Sequence, residues 1–387
     1  MKNINKNVIY LGWVSFFTDF SSSMVTTLLP LYVVYILDEG VDKLGIVIAV
    51  ASFVSYAFRI VFGYISDRYA LVKPLVVTGY LVSALTKPML ALTHGYVGVA
   101  AMRGIERMGK AVRSAPKDAL ISAYSEAKKS GKTFGFHKTM DIAGELGGAA
   151  LIFLVLSQVM LDKESIRLIF ASTLIPGLIA TAIALFLVKD VDQSSLKATR
   201  GPSVFNKSDL KLLPLLFIYF AAVMFILSDQ FLIVKARESG YANTIIPLFV
   251  MVLTLTQTLS SYYSGLMIDK IGSERMLLMA IVFGALSVAC VWQSLIWPGF
   301  IFLGLFTVIS LNTVRAYISN HAQSKAFVFG IFYGGVAFAS SLGAVIIGQL
   351  WKHLGFEDVV LFSLTGLGVV TIALLILIWR SKRDLLY

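Results

Sequence analysis

A stripe of charged side chains interrupts this otherwise apolar sequence between residues 103 and 118. Its members are Arg103, Glu106, Arg107, Lys110, Arg113, Lys117 and Asp118. Their spacing, mostly three or four residues, places most of them on one face of a helix. Inside a bilayer such charges are costly unless they face a water-filled cavity or a partner, so the stripe indicates a functional site.

Further ionisable and polar side chains fall inside other apolar runs of the sequence. They are Asp19 in the first run, His137, Asp141 and Glu145 in the fifth, Asp229 and Gln230 in the seventh, and Asn312 and Arg315 in the tenth. Three interpretations of these residues are open. They form buried pairs that hold helices together, they carry protons, or they recognise a charged solute.

The last two interpretations select different residues. Because a buried carboxylate beside a base can take up and release a proton, the predicted proton-coupling residues are Asp19, Glu106, Asp141, Glu145, His137 and Asp229. Because basic, amide and aromatic side chains suit a charged solute, the predicted substrate-binding residues are Arg103, Arg107, Lys110, Arg113, Asn312, Arg315, Phe17 and Gln230. The stripe has five basic and two acidic members, which favours an anionic or zwitterionic solute over a lipophilic cation.

The composition assigns these residues to a membrane protein. Of 387 residues, 57% are hydrophobic and 14% are charged, whereas about 25% of an average soluble domain is charged. Apolar runs long enough to cross a bilayer as a helix, about 20 residues, recur twelve times. The sequence therefore predicts an all-α membrane protein with twelve transmembrane helices.

Basic residues between the apolar runs predict the orientation of the chain. With the N-terminus inside, the inner connections carry about 18 Lys and Arg residues and the outer ones about 6, as the positive-inside rule requires. Both termini are then cytoplasmic. The polar stretch 189–210 is interpreted as a cytoplasmic linker between two six-helix bundles, residues 1–188 and 211–387.

The two halves carry matching motifs. Gly63-Tyr64-Ile65-Ser66-Asp67-Arg68 follows the second run, and Gly265-Leu266-Met267-Ile268-Asp269-Lys270 follows the eighth, 202 residues later. Val112-Arg113 and Val314-Arg315 are separated by the same interval. Two internal copies suit alternating access, in which one half rocks against the other around a central site.

These motifs resemble those of the major facilitator superfamily, in which a turn of the form G-x-L-A/S-D-R-x-G-R-R/K joins spans two and three. Residues 63–68 match it, and residues 70–72 depart from it. The resemblance implies two pseudo-symmetric six-helix bundles, with spans one, four, seven and ten around a central cavity. It also implies a cytoplasmic gate, for which the predicted residues are Gly63, Asp67, Arg68, Asp118, Gly265, Asp269 and Lys270.

A second, partial resemblance concerns the direction of transport. Gly135, Gly144 and Gly148 match three glycines of the fifth-span signature of drug:proton antiporters, whereas Ala149 stands where its proline belongs. The resemblance implies secondary active transport by alternating access, with proton-coupled efflux of small organic compounds as the leading function. A carrier of organic anions or metal-chelating metabolites, in either direction, is the alternative. A membrane-embedded enzyme acting on a lipid is the alternative of another class.

Motifs for several other functions are missing from the sequence. It contains no Gly-x-x-x-x-Gly-Lys-Ser/Thr motif, no His-Glu-x-x-His motif and no cysteine cluster, so we expect no enzymatic activity, no cofactor and no metal. The basic residues behind the net charge of +11 lie mostly between the apolar runs, where they indicate membrane orientation, so no nucleic acid is expected. The expected partners are a small-molecule substrate, protons and the lipid bilayer. The expected form is a monomer that crosses the cell membrane many times.

Overall fold

The structure, a computed structural model, describes residues 5–69, 71–125, 130–190 and 207–384. The described residues are almost entirely helical and include no β-strand. The helices of the first half are α1 (Lys6–Leu31), α2 (Gly40–Tyr69), α3 (Lys73–Met89), α4 (Tyr96–Ala123), α5 (Ser130–Leu156), α6 (Lys163–Ser172) and α7 (Leu174–Ala182). Those of the second half are α8 (Leu213–Phe225), α9 (Asp229–Glu238), α10 (Ile246–Ile271), α11 (Ser273–Trp292), α12 (Ile296–His321), α13 (Lys325–His353) and α14 (Phe356–Asp384).

Short irregular turns extend or interrupt several of these helices. π-Helical turns at Tyr32–Ile36 and Ile183–Leu187 follow α1 and α7, and 3-10 turns at Leu90–Leu92 and Lys207–Leu212 follow α3 and precede α8. The sixth predicted span consists of α6 and α7. The seventh consists of α8 and α9, with a break at residues 226–228. The described residues thus form twelve helical rods that correspond to the twelve predicted spans.

Ten segments in the described part of the chain are long and apolar enough to cross a membrane. The two remaining rods are α4 and α10. The charged stripe makes α4 polar, and α10 carries hydroxyl and other polar side chains between Thr254 and Ser264. Polar side chains on a transmembrane helix are expected where the helix faces protein or a cavity instead of lipid. The predicted all-α membrane fold is confirmed.

The chain divides into two compact units. Unit 1 comprises Met1–Glu39, Val50–Gly201 and Asn243–Met251, and unit 2 comprises Gly40–Ala49, Pro202–Ala242 and Val252–Tyr387. Within unit 1, α1 packs along α5 and α3 packs along α4. Within unit 2, α8 packs along α13 and α11 packs along α12. Equivalent helices therefore pair in each unit.

Residues 191–206 of the predicted linker lie outside the described residues, and the predicted bundle boundaries stay a prediction.

Glycines set the closest helix contacts in both units. A β-carbon on Gly144 or Gly148 of α5 would overlap the carbonyl oxygen of Phe16 or Phe20 on α1. In unit 2, a β-carbon on Gly343 of α13 would overlap the carbonyl oxygen of Met224 on α8 in the same way. Small residues let the backbones of membrane helices approach this closely. These glycines are therefore required by packing.

We expect Gly144→Ala to lower the free energy of unfolding by about 1–3 kcal/mol, because the added methyl group has no room against α1. Gly135→Ala is the matched control, since Gly135 lies on the same helix and no atom lies within 4 Å of its β-carbon position. Thermal unfolding of the purified variants in detergent tests this expectation. Equal destabilisation by both substitutions would contradict it.

Candidate functional site

A polar cavity of about 240 Å³ lies within unit 1, between α1, α3, α4 and α5. Eight charged side chains line it, namely Arg107, Lys110, Arg113, Lys117, Lys138, Asp19, Asp141 and Glu145. Hydroxyl groups of α1 between Ser15 and Thr26 line it as well, together with Tyr80 and Ser114. Five bases face three acids, so the lining has more positive than negative groups.

Two glycines place the charged helix α4 against α3. A β-carbon on Gly79 would lie 2.6 Å from the carbonyl oxygen of Gly109, and one on Gly109 would lie 2.7 Å from that of Gly79. Backbone contact at this point brings the stripe of α4 against α3. The stripe also reaches the cavity, through Arg107, Lys110 and Arg113.

Arg113 is fixed in place by α3. Its Nη1 donates a hydrogen bond to Oγ of Ser83, at 2.7 Å, and another to the carbonyl oxygen of Gly79, at 3.3 Å. Its guanidinium carbon lies 4.6 Å from the centre of the Tyr80 ring, in a cation–π contact. A guanidinium held in this way keeps its remaining donors oriented, which suits recognition of a carboxylate or phosphate group.

Glu106 lies in a buried ion-pair cluster beside the cavity. Its Oε2 accepts a hydrogen bond from Nη1 of Arg103 at 3.0 Å and lies 3.3 Å from Nε of Arg107. The side chains of Arg103 and Glu106 are 0% and 1% exposed. The carboxylate of Glu106 therefore balances only one of the two positive charges of Arg103 and Arg107.

Lys87 of α3 belongs to the same region and was not predicted from the sequence. The residue is fully buried. Its Nζ donates to the carbonyl oxygen of Thr18 at 3.1 Å and to Oγ of Ser21 at 2.6 Å. A lysine inside the otherwise apolar third run is a signal that could have identified it. Tyr80, Lys117 and Lys138 also line the cavity. Of these, the sequence indicated only Lys117, as a member of the charged stripe, and predicted no specific role for it.

The predicted proton-coupling residues of unit 1 converge on this region. Asp19, Asp141 and Glu145 line the cavity, and Glu106 lies in the adjacent cluster. Nε2 of His137 shares a hydrogen bond with the Ser15 hydroxyl at 2.8 Å, and its Nδ1 lies 3.4 Å from Oδ1 of Asp141. Most of the predicted basic substrate ligands, Arg107, Lys110 and Arg113, line the same cavity. Proton coupling and solute binding stay predictions for these residues.

Phe17 packs on α1 with aromatic and aliphatic neighbours. Its ring centre lies 5.3 Å from that of Phe16 and 5.9 Å from that of Trp13. It also contacts the hydrophobic core of unit 1 that includes Leu11 and Val76. Phe17 is not among the residues that line the cavity described above.

Four of the predicted proton-coupling and substrate-binding residues belong to unit 2. Asp229 and Gln230 begin α9, just after the break in the seventh span. Nδ2 of Asn312 donates to the hydroxyl oxygens of Ser264, at 3.0 Å, and Ser261, at 3.3 Å, which ties α12 to α10. Nε of Arg315 is buried and has no hydrogen-bond partner within the described part of the chain.

The predicted gate residues lie near helix ends. Gly63 of α2 approaches Ala115 of α4, at 3.5 Å from a β-carbon position to the Ala115 methyl carbon. Nη1 of Arg68 donates to the Tyr64 hydroxyl at 2.7 Å. The Asp67 side chain lies outside the described residues. Asp118 is exposed on α4, and Gly265, Asp269 and Lys270 lie in the last two turns of α10. A gating role for these residues stays a prediction.

Comparison with known proteins gives consistent matches over nearly the whole chain. A family model of the Major Facilitator Superfamily matches residues 11–344. An uncharacterized MFS-type transporter of Methanocaldococcus jannaschii is 32% identical over 366 residues, which cover 91% of this chain and 90% of the relative. An uncharacterized protein of Mycobacterium tuberculosis is 22% identical over 340 residues, 84% of this chain and 82% of the relative.

Solved structures agree in fold. The nucleoside transporter NupG superposes with a TM-score of 0.77 at 13% identity, over 98% of this chain and 100% of that one. A POT family transporter in complex with 5-aminolevulinic acid superposes with a TM-score of 0.75 at 12% identity, over 97% and 96% of the two chains. The match to the family model and the 32% identical relative identify the protein as a multi-pass membrane transporter instead of an enzyme. With its twelve helical rods and the match over residues 11–344, the chain belongs to the Major Facilitator Superfamily.

Proposed function

We propose that this protein is a proton-coupled secondary transporter of small organic solutes that carry an anionic group, and that it binds them in the cavity of unit 1. The observation that carries the proposal is the cavity lining, in which five bases, including the fixed guanidinium of Arg113, face three carboxylates. Opposite charges attract strongly where little bulk water screens them. An anionic or zwitterionic solute fits such a lining better than a cation.

The carboxylates suit the coupling of solute to protons. Asp19, Asp141 and Glu145 line the same cavity as the bases. A carboxylate that a base can approach or leave changes its affinity for a proton as the cavity changes. Because the bound solute alters the field at these groups, proton binding and solute binding influence one another. The proposed membrane is the cell membrane, with both termini cytoplasmic and the protein acting as a monomer.

Proton-coupled export of small organic compounds is the second candidate. The observation that favours it is the pair Gly144 and Gly148, which match the antiporter signature and support the contact between α5 and α1. The sign of the proton movement separates symport of an anion with a proton from export in which a cation is exchanged for a proton. An anion that travels with a proton acidifies the compartment it enters, whereas a cation exchanged for a proton makes that compartment more alkaline.

Liposomes that contain the purified protein and an internal pH indicator test the proposal. Citrate, free glutamate and ethidium are added outside in separate experiments, and protein-free liposomes measure passive leakage. We expect citrate or glutamate to acidify the lumen in a protein-dependent way, and Asp19→Asn to reduce this response strongly. A response to ethidium alone, with lumenal alkalinisation, would contradict the anionic solute and support export of cations.

A further inference from the structure

We propose that Lys87 takes up a proton when the anionic solute binds, so that solute and proton are carried together. The inference rests on the proposed function and assigns the transported proton to a lysine behind the cavity, for which the carboxylate of Asp19 on the cavity wall is a counter-charge. Lys87 lies on α3, is fully buried and does not line the cavity itself.

The contacts of Lys87 connect it to the cavity wall. Its Nζ donates to the carbonyl oxygen of Thr18 and to the hydroxyl oxygen of Ser21, at 3.1 Å and 2.6 Å. Thr18 is itself one of the residues that line the cavity. The Ser21 hydroxyl can accept a hydrogen bond from an ammonium or donate one to an amine, so it can serve both protonation states of Lys87.

Lys87 and the ionisable groups near it carry one excess positive charge when Lys87 is protonated. The ionisable groups that act on it are Glu106, Arg103 and Arg113 on α4 and Asp19 on α1. Helix α7, which also packs against α3, carries no ionisable side chain, whereas α6 carries Lys163 and Glu164, both exposed, and Arg167, which donates to the carbonyl oxygen of Thr93. Counted with Lys87 itself, the groups that act on it comprise three cations and two carboxylates, and Arg103, Arg113 and Glu106 are 0%, 5% and 1% exposed.

Only one cation of this cluster can lose its charge. Arginine stays protonated in proteins, because its guanidinium delocalises the charge. Lysine, by contrast, can release its proton when it is buried among other cations. When no anion occupies the cavity, release of the Lys87 proton removes the excess positive charge. When an anion binds, its field stabilises the ammonium form.

This linkage fixes the direction of coupling. If an anion increases proton binding at Lys87, protonation of Lys87 increases anion binding by the same factor. Solute and proton then occupy the protein together and leave it together. An inward proton gradient would therefore drive accumulation of the anion inside the compartment that the protons enter.

Titration calorimetry of the purified protein with citrate and with free glutamate tests the assignment. The same titration in two buffers of different ionisation enthalpy gives the number of protons taken up for each anion bound. The test variant is Lys87→Arg, whose guanidinium stays charged and can donate to the same acceptors on Thr18 and Ser21, but cannot release its proton. The control variant is Lys163→Met, which replaces an exposed lysine at the start of α6.

We expect about one proton for each anion in the wild type and in Lys163→Met, and none in Lys87→Arg, which should bind the anion with similar or higher affinity. Proton uptake by Lys87→Arg at the wild-type level would overturn the assignment and leave the proposed function intact. Failure of the wild type to bind either anion would instead overturn the proposed function and this inference with it.

A second variant keeps the lysine in place. Ser21→Ala removes the 2.6 Å acceptor of the ammonium group, which disfavours the charged form of Lys87. We expect several-fold weaker anion binding, with proton uptake retained. Unchanged affinity in Ser21→Ala would show that the charge of Lys87 is not linked to the anion, and this too would overturn the proposal.

Discussion

Replacement of Glu106 by glutamine is expected to lower the free energy of unfolding by about 3–5 kcal/mol, because it leaves buried positive charge without its counter-charge. Glu106 is 1% exposed and its Oε2 contacts Arg103 and Arg107 at 3.0 Å and 3.3 Å. Glutamine keeps the shape and one acceptor but removes the negative charge. Thermal or chemical unfolding of the purified protein in detergent measures the loss.

Two further variants show whether the loss comes from the missing charge. Asp19→Asn removes a carboxylate that lines the cavity, where water can compensate, so its effect on stability should be below about 1 kcal/mol. Replacing Arg103 and Glu106 together by methionine removes both partners, and should recover part of the stability that Glu106→Gln loses. Equal losses in Glu106→Gln and Asp19→Asn would contradict the buried ion-pair cluster.

Arg113→Gln is expected to weaken binding of an anionic solute by about 10- to 100-fold, the effect of losing one or two hydrogen bonds from a charged donor. The guanidinium is held by Ser83, Gly79 and Tyr80, so its orientation is set before the solute arrives. Arg113→Lys should rescue little of the loss, because an ammonium cannot reproduce the planar fork. Calorimetry with citrate or free glutamate measures the change.

A comparison of anionic and cationic ligands shows whether Arg113→Gln impairs recognition of the anion or disturbs the fold. Lys138→Gln removes an exposed base from the wall of the same cavity, and should weaken anion binding only a few-fold. Neither variant should weaken binding of ethidium. If Arg113→Gln weakens binding of ethidium and of the anion equally, its role is to hold α4 against α3 and the anionic site is wrong.

The twelve helices could be predicted because their apolar runs are long and sharply bounded. The fourth helix shows where apolar content alone fails. Its charged stripe lowers its mean hydropathy, yet the spacing of the charges identifies it as a helix with one polar face. The stripe also predicted one side of the cavity wall, since Arg107, Lys110, Arg113 and Lys117 all lie there.

Lys87 escaped prediction because a single charge has no periodicity. Its structural role depends on its hydrogen bonds to Thr18 and Ser21, which lie 69 and 66 residues away in the sequence. Asn312 illustrates the opposite case. Predicted as a solute ligand, it donates its hydrogen bonds to Ser261 and Ser264 of α10. Sequence alone does not reveal whether a neighbouring helix already satisfies a polar side chain.

The glycines of α5 could be recognised by their motif but not by their function. Gly144 and Gly148 contact the backbone of α1, whereas Gly135, a member of the same motif, has no atom within 4 Å of its β-carbon position. The recurrence of the contact at Gly343 in unit 2 indicates that this part of the motif serves helix packing in both halves.

Accumulation of radiolabelled anion in liposomes under an imposed proton gradient tests the central claim most directly. Citrate and free glutamate are supplied outside at acidic pH, with the membrane potential clamped by potassium and valinomycin. We expect the wild-type protein to concentrate at least one of these anions above its outside level and to lose this ability in Arg113→Gln. Failure to concentrate either anion, together with proton-driven movement of ethidium, would contradict an anionic solute carried through the cavity of unit 1.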